Sequence, residues 1–383
     1  MKIVHVCQYY NDDWGYQENL LAEYQAKVGH EVVVITSDRK SKNFIDKLKR
    51  VVGTGSYIRN NVRIERIPIV AEFTGRFVIF KNLNKVLEKE NPDFIFHHGL
   101  TSPSLKTVIN YKIRNKNVFL AVDNHSEYNN SGRIWIWRFL YYRVFWKKVL
   151  SSYNLNVIDK FFSITSACKL FSIKELGILF DNHELLYLGS DVDCIYFDPK
   201  YREEIRNHYT FNESDIVIVT GGKIDERKRL DVVIQAIKEI GSSNLKLLII
   251  GHIERKYANI IEKMINNDKN IIKTGWINKD DLFKYLSAAD IAVFPGSQSA
   301  LWQHAVSCEL PITIKYWPGT EYLLLKENGM FLFSDNHKEL MQYLNLLLKN
   351  PVLIKKMRRG ARQERDEVLS YYKIAKKSLE VKS

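Results

Sequence analysis

The sequence lacks cysteine pairs, long apolar runs and low-complexity tracts, and each absence removes a class of protein. Four cysteines (Cys7, Cys168, Cys194, Cys308) are scattered with no C-x-x-C spacing, which excludes a disulfide framework and a zinc cage and suits a reducing cytosol. No run approaches the ~18 apolar residues of a membrane-spanning helix. The opening MKIVHVCQYY has one lysine and a short apolar run broken by His5 and Cys7, so a first β-strand is expected there and not a signal peptide. With no zinc finger, aromatic RNA-binding signature or basic zipper, nucleic acid is not the expected partner. No Asp-x-Asp motif follows an appropriate strand, and no metal or other cofactor is expected.

What the chain does have is length, positive charge and a repeating pattern. Its 383 residues suffice for two compact domains. A net charge of +13 implies an anionic partner, either phosphorylated ligands or an acidic membrane face. Short runs rich in Val, Ile, Leu and Phe alternate with amphipathic stretches, the pattern of parallel sheets covered by helices. Strands are expected at 2–7, 31–36, 62–68, 93–97, 117–122, 160–165 and 184–188. The series restarts at 215–220, 245–250, 270–273, 290–294, 311–314 and 330–333, with helices at 229–240, 256–266, 279–288, 300–308 and 336–349. Two βα series make an α/β protein of two Rossmann-like, doubly wound domains. They are expected at 1–190 and 191–360, with 361–383 a C-terminal helix for which a return to the first domain is open.

Ligands of open parallel sheets bind at the carboxyl ends of strands, where glycine turns expose amides and helix N-termini favour anions. Gly15, between Trp14 and Tyr16, follows the first strand and lets the backbone approach a ligand. Gly221-Gly222-Lys223-Ile224-Asp225-Glu226-Arg227-Lys228-Arg229 follows the first strand of the second series, and its glycine pair and basic cluster suit a diphosphate. Phe294-Pro295-Gly296-Ser297-Gln298-Ser299 opens a later helix, where Ser297 and Ser299 would either hold phosphate oxygens or cap the helix. Asp123-Asn124-His125-Ser126-Glu127 is a polar cluster at another strand end.

Taken together, these segments resemble a family 4 glycosyltransferase of the GT-B fold, over nearly the whole chain. GHEVVVITSD, PDFIFHHG, ITSACKLFSIKELGI and LGSDVDCIYF resemble the family's N-domain motifs. GGKIDERKRLDVVIQAI and GWINKDDLFKYLSAADIAVFPGS resemble its donor-domain motifs. The resemblance implies two domains facing across a cleft, the second binding a nucleotide-sugar donor and the first a glycan acceptor. It places Lys223 and Lys228 on the donor diphosphate with Gly15, Gly222, Ser297 and Ser299. Trp276 and Ile277 fall beside the nucleoside, with Glu321 of Gly319-Thr320-Glu321 as a further candidate there. His125 would touch the donor sugar, Asp123 and Glu127 are nearby acids that would serve as the general base if the enzyme inverts, and His98 stands on the acceptor side. Retention of configuration is implied, with the leaving diphosphate accepting the acceptor's proton.

One departure stands out. The family carries two glutamates in this loop, the second opening EAMACGLPVI, where this chain has His304-Ala305-Val306-Ser307-Cys308-Glu309-Leu310-Pro311-Ile312. His304 replaces that glutamate and the first is absent, at Gly296 or Ser299 depending on loop length. Contacts to the donor sugar would then fall to Gln298, Gln303 or His304. The missing acids also admit a catalytically silent GT-B-like binding protein, or another GT-B sugar-nucleotide enzyme such as an epimerase.

Residues 133–148, RIWIWRFLYYRVFWKK, hold five basic residues, seven aromatics and no acid. Bilayer interfaces select this composition, since rings lie at headgroup depth and cations meet anionic lipid. A second basic segment lies at 39–50. The expectation is a cytoplasmic protein bound peripherally to the inner leaflet and acting on a lipid-linked acceptor in surface-polysaccharide assembly. The competing expectation is an ordinary helix whose aromatics pack onto the sheet.

Overall fold

The computed structural model describes residues 1–12, 15–41, 50–73, 75 and 77–380. Trp14 and most of the basic segment at 39–50 therefore lie outside the described residues. The chain divides into two compact units, Met1–Leu188 with the C-terminal helix Tyr371–Ser378, and Gly189–Ser370. The helix Pro351–Glu364 thus stays with the second unit and only the last helix joins the first.

Among the described residues the first unit has ten strands. They are β1 (Lys2–Val6), β2 (Glu31–Ser37), β3 (Gly55–Arg59), β4 (Val62–Ile67), β5 (Ile69–Phe73), β6 (Phe77–Phe80), β7 (Phe94–His97), β8 (Phe119–Asn124), β9 (Lys160–Ser163) and β10 (His183–Leu185). Eight form one sheet in the order β10-β9-β8-β7-β1-β2-β4-β3. Every pair is parallel except β3 with β4. The central strands are covered on both faces, so they read as near-continuous apolar runs. Val4, Val6, Ile95, Leu120 and Val122 are fully buried in one core with Leu105, Val108 and Phe171.

Two elements escape the periodicity. β3, GSYIR, is largely exposed and carries no apolar run. It pairs with β4 through Asn60 and Asn61, both at positive φ (48° and 62°), as a primed two-residue hairpin demands. β5 and β6 form a separate antiparallel hairpin. It leans on the aromatic segment, with Phe77 stacked on Trp146 at 5.1 Å between ring centroids.

The family-like segment at 160–178 has local causes. Thr165 caps the helix Ser166–Leu176 by accepting from the Cys168 amide at 3.1 Å, and Gly177 ends it at φ 73°. The last helix docks on the helix Gln17–Lys27, where Tyr24 meets Tyr372 edge-on at 4.7 Å. Gln25 Nε2 reaches Ser378 Oγ at 2.9 Å across the same contact.

The second unit has β11 (Ile216–Ile224), β12 (Leu245–Ile253), β13 (Ile271–Gly275), β14 (Ile291–Phe294), β15 (Ile312–Lys315) and β16 (Gly329–Leu332). They form a wholly parallel sheet in the order β13-β12-β11-β14-β15-β16. With the crossing back at the β11–β14 step, this is a doubly wound sheet whose switch point lies beside β11.

β11 runs on past the expected turn. Gly221 and Gly222 are strand residues paired with Ile250 and Gly251. A Cβ on Gly221 would stand 2.0 Å from the Ile250 carbonyl oxygen, so this glycine serves close strand pairing. The actual turn lies at 225–229 and ends on Arg229, at φ 53°, before the helix Leu230–Ile240.

Candidate active site

In the first unit the carboxyl ends of β1, β7 and β8 lie side by side and open into a pocket of about 250 Å³. The chain after β1 supplies Gln8, Tyr9 and Asn11, and the start of the helix Gln17–Lys27 supplies Tyr16 and Glu18. His98 follows β7, and Asp123, Asn124 and His125 come from the end of β8. The structure thus gathers His98, Asp123 and His125 in one place.

Asp123 is fully buried and organises this wall. Its Oδ2 lies 2.9 Å from His98 Nδ1 and 3.2 Å from His125 Nε2, while Oδ1 accepts from the Gly99 amide at 2.8 Å. Burial by itself would raise the carboxyl pKa. The charges and hydrogen bonds of His125 and His98 outweigh it and hold Asp123 well below the usual carboxylate range. For His125 burial favours the neutral ring, but Asp123 outweighs it and raises the pKa. Asp123 is therefore a charged anchor and a poor proton acceptor.

The loop beyond β8 is locally locked. Asn124 Oδ1 accepts from the Ser126 amide at 3.1 Å, and its Nδ2 donates to the Ser126 and Cys168 carbonyls. Asn130 donates to the His125 carbonyl at 2.9 Å. His125 is left 39% exposed at its side chain, the most open member of the cluster. Glu127 is buried, which raises its carboxyl pKa, and it does not line the pocket. His97 is buried on Ser104 Oγ at 2.8 Å, and burial lowers its pKa to about 3, so it belongs to the core.

His98, Asp123 and His125 are also the group of His and acid side chains, among the described residues, whose ligand atoms lie within 4.8 Å of one another. Within the cluster Asp123 Oδ2 is hydrogen-bonded to both rings, so the three side chains are held as one unit.

In the second unit the turn after β11 and the loop after β14 meet. Lys228 Nζ donates to the carbonyls of Ser297 and Gln298, each at 2.8 Å. The Ser297 amide donates to the Arg227 carbonyl at 2.8 Å. Only glycine fits at 296, where a Cβ would stand 2.1 Å from the Arg227 carbonyl oxygen. Burial lowers the Lys228 pKa and outweighs the nearby charge of Asp225, leaving a poorly solvated ammonium at a strand end. Lys223 is exposed nearby, and Gly222, at φ 107°, faces Ser299 Oγ with space for a further atom. Ser299 Oγ accepts from the Leu301 amide at 3.3 Å just before the helix Leu301–Ser307.

Residues 201–364 match the family model described as glycosyl transferases group 1. Most of the second unit is thus similar to the group 1 glycosyl transferases. The whole chain has the GT-B fold, as three solved structures show. A glycosyltransferase from Rickettsia africae ESF-5 superposes with a TM-score of 0.69 at 15% identity, covering 99% of this chain and 96% of that one. HepE of Anabaena, solved in complex with UDP, gives 0.70 at 13% identity over 98% of both chains. WaaG, a glycosyltransferase involved in lipopolysaccharide biosynthesis, gives 0.60 at 17% identity over 98% of both. Among curated proteins, a chitobiosyldiphosphodolichol beta-mannosyltransferase of Candida albicans is 23% identical over 241 residues. The match spans 57% of this chain and 51% of that enzyme, about half its length.

Within the second unit the sugar-side candidates are placed unevenly. Gln298 is exposed beside the Lys228 contact. Gln303 is buried and bonds the Tyr322 hydroxyl at 2.9 Å. His304 is half-buried with Nδ1 3.0 Å from Ser190 Oγ. Glu309, which stands where the motif has glycine, keeps the left-handed backbone at φ 60° and pairs with Arg362 and Arg365 at 2.9–3.0 Å. Trp276 is 69% exposed after the Gly275 turn and Ile277 is half-buried. Glu321 begins a helical turn and accepts from the Tyr316 hydroxyl at 2.9 Å. Gly15 is half-buried just before the helix Gln17–Lys27.

Sequence reasoning missed Glu18, Tyr9 and the buried pair His5 and Gln25. Glu18 had a signal, since it lies in the first turn of the helix that follows Gly15. His5 and Gln25 had none, because nothing in their spacing shows that they touch.

The segment 135–151 is helical, with π-type winding over Arg138–Trp146. Only Tyr142 and Trp146 of its aromatics are buried. Ile134, Trp135, Ile136, Trp137, Phe139, Leu140, Val144 and Phe145 are each between 42% and 68% exposed, so the aromatics do not simply pack onto the sheet. Arg143 is tied to Glu175 at 3.1–3.2 Å, whereas Arg133, Lys147 and Lys148 are exposed. No helix among the described residues is long and apolar enough to cross a membrane.

Proposed function

We propose that the chain is a glycosyltransferase that moves a sugar from a nucleotide-sugar donor to a lipid-linked glycan acceptor. The observation that carries this reading is the group 1 match over 201–364, which contains the Lys228 loop at the switch point of its sheet. A diphosphate beside Lys228 would pair with an ammonium that burial has stripped of water, and Lys223 would add a second cation. Relatives of the same fold were solved with UDP and with UDP-glucose, which supports a nucleotide-diphosphate sugar as donor. Two cations at the diphosphate take the place of a divalent metal, so the reaction is proposed to proceed without one. Saturable stabilisation by one nucleoside diphosphate in EDTA tests this donor half.

The acceptor chemistry follows from the first unit. Asp123 is held ionised by three donors and Glu127 lies outside the pocket, so neither is placed to take a proton from an acceptor hydroxyl. Retention, with the leaving diphosphate as base and His125 against the sugar, is the mechanism that fits these two acids. The curated relative acts, by its name, on a diphosphodolichol-linked sugar. With the exposed aromatic segment at 134–145, this supports an acceptor held at a membrane and a place in surface-polysaccharide assembly on the cytoplasmic face.

Vesicle flotation tests the membrane half. The protein is expected to float with vesicles containing anionic lipid, and binding should weaken as salt rises. Replacing Trp135, Ile136 and Leu140 together by Ser should reduce partitioning at least tenfold, since each buried side chain contributes roughly 1.5–3 kcal/mol. Failure of the unaltered protein to float at low salt would remove the membrane and lipid-linked parts and leave the donor reading standing.

A further inference from the structure

A chain of hydrogen bonds runs through the first unit from its last helix to the pocket wall, and its donors and acceptors can be assigned link by link. Ser378 Oγ donates to the Ala375 carbonyl at 2.6 Å, so toward Gln25 it offers only lone pairs. Gln25 Nε2 donates to it at 2.9 Å. That turns Gln25 Oε1 toward His5 Nε2, 2.7 Å away, and an amide oxygen there requires a proton on Nε2.

His5 lies in the middle of the sheet with no exposed surface. Burial, followed by the neighbouring His98, lowers its pKa to about 3, so at neutral pH it carries one proton and Nδ1 is bare. His5 Nδ1 meets His98 Nε2 at 3.0 Å, and a bare nitrogen there requires His98 to donate. The other nitrogen of His98, Nδ1, faces the ionised Asp123 at 2.9 Å and must donate as well.

We infer that Gln25, acting through His5, holds His98 protonated on both ring nitrogens, so that the pocket wall carries a fixed imidazolium beside Asp123. Gln25 is a positioning residue: it lies outside the pocket lining and sets the charge of a residue within it. The groups facing His98 are His5 from β1, His97 beside it on β7, and Asp123 and His125 at the end of β8. Glu18 lines the same pocket from the helix Gln17–Lys27.

The charge has a consequence for His125. Asp123 is shared by both rings, and an imidazolium at His98 already balances it. His125 Nε2 reaches the same carboxylate oxygen, and its partly exposed ring stands where a hydroxyl-bearing ligand in the pocket would meet it. The opposite arrangement turns the Gln25 amide over and swings the Ser378 hydroxyl onto it. That leaves one proton on each ring but gives up the Ser378–Ala375 bond, so Ser378 selects between the two. The inference concerns the pocket alone and stands whether or not the chain transfers sugar.

Ring-nitrogen NMR of the full-length protein, labelled with 15N-histidine and observed at neutral pH, tests it. His98 is expected to show two ring N–H correlations. Gln25→Met keeps the volume but removes the acceptor, so His5 should shift its proton to Nδ1 and His98 should lose one correlation. Ser378→Ala removes the selecting bond and should reduce the doubly protonated fraction of His98, an independent readout if Gln25→Met fails to fold. A single protonated nitrogen on His98 in the unaltered protein overturns the inference. So does an unchanged pair of correlations in both folded variants.

Discussion

Replacing Lys228 by Ala is expected to lower donor turnover by roughly two to three orders of magnitude, the usual effect of removing one preorganised charge from a developing anion. The ammonium lies on the carbonyls of Ser297 and Gln298, where two loops of the second unit meet at the carboxyl ends of β11 and β14. It holds those loops together and is desolvated by burial, so it has both structural and electrostatic roles. The two separate experimentally. Loss of the structural role should appear as a modest fall in Tm without donor, since two bonds to a charged group contribute roughly 1.5–3 kcal/mol each at most. Loss of the electrostatic role should abolish the donor-induced rise in Tm. Turnover within tenfold of the unaltered protein would contradict the assignment.

The second large effect concerns Asp123. Changing it to Asn leaves His98 and His125 without their shared anion, and breaking a buried pair typically costs about 3–5 kcal/mol. Asp123→Asn should therefore lower Tm sharply at neutral pH. The pH dependence has a defined sign. The folded pKa of Asp123 is depressed, so its contribution is present above the ordinary value of 3.8 and is lost only as pH falls toward the depressed one. The folded pKa of His125 is raised, so its contribution is complete below 6.5 and disappears as pH rises through the raised value. The gap in Tm between the two proteins is thus widest between about 4 and 6.5. A gap that is constant with pH, measured by thermal unfolding in matched buffers, would contradict the charge pairing.

The fold was legible where burial is two-sided. Strands such as Ile216–Ile224 and Ile291–Phe294 announce themselves as apolar runs because both faces are covered. β3 did not, since its side chains face solvent and only Asn60-Asn61 signals the turn. The site was legible where chemistry sits at a strand end, as with Asp123, His125 and Lys228. Gly221 and Gly222 misled because glycine fits both a ligand-facing turn and a tight strand pairing, and the sequence does not say how closely Ile250 and Gly251 approach. Gln303 looked available in its motif yet faces inward to Tyr322, and helix periodicity alone does not tell one side of a seven-residue helix from the other. The links from Ser378 through Gln25 and His5 to His98 join residues far apart in the chain, and only the fold brings them together.

The central claim is that a nucleoside diphosphate, carried by a sugar, binds at the Lys228 loop without metal. The most direct test is the thermal stability of the purified protein in EDTA against a panel of nucleoside diphosphates and their sugars. A saturable shift with one diphosphate and a few of its sugars, about 2.7 kcal/mol at a hundredfold excess over Kd, is the predicted result. No shift with any member, from a folded sample, would contradict it and favour a GT-B-like binding protein that turns nothing over.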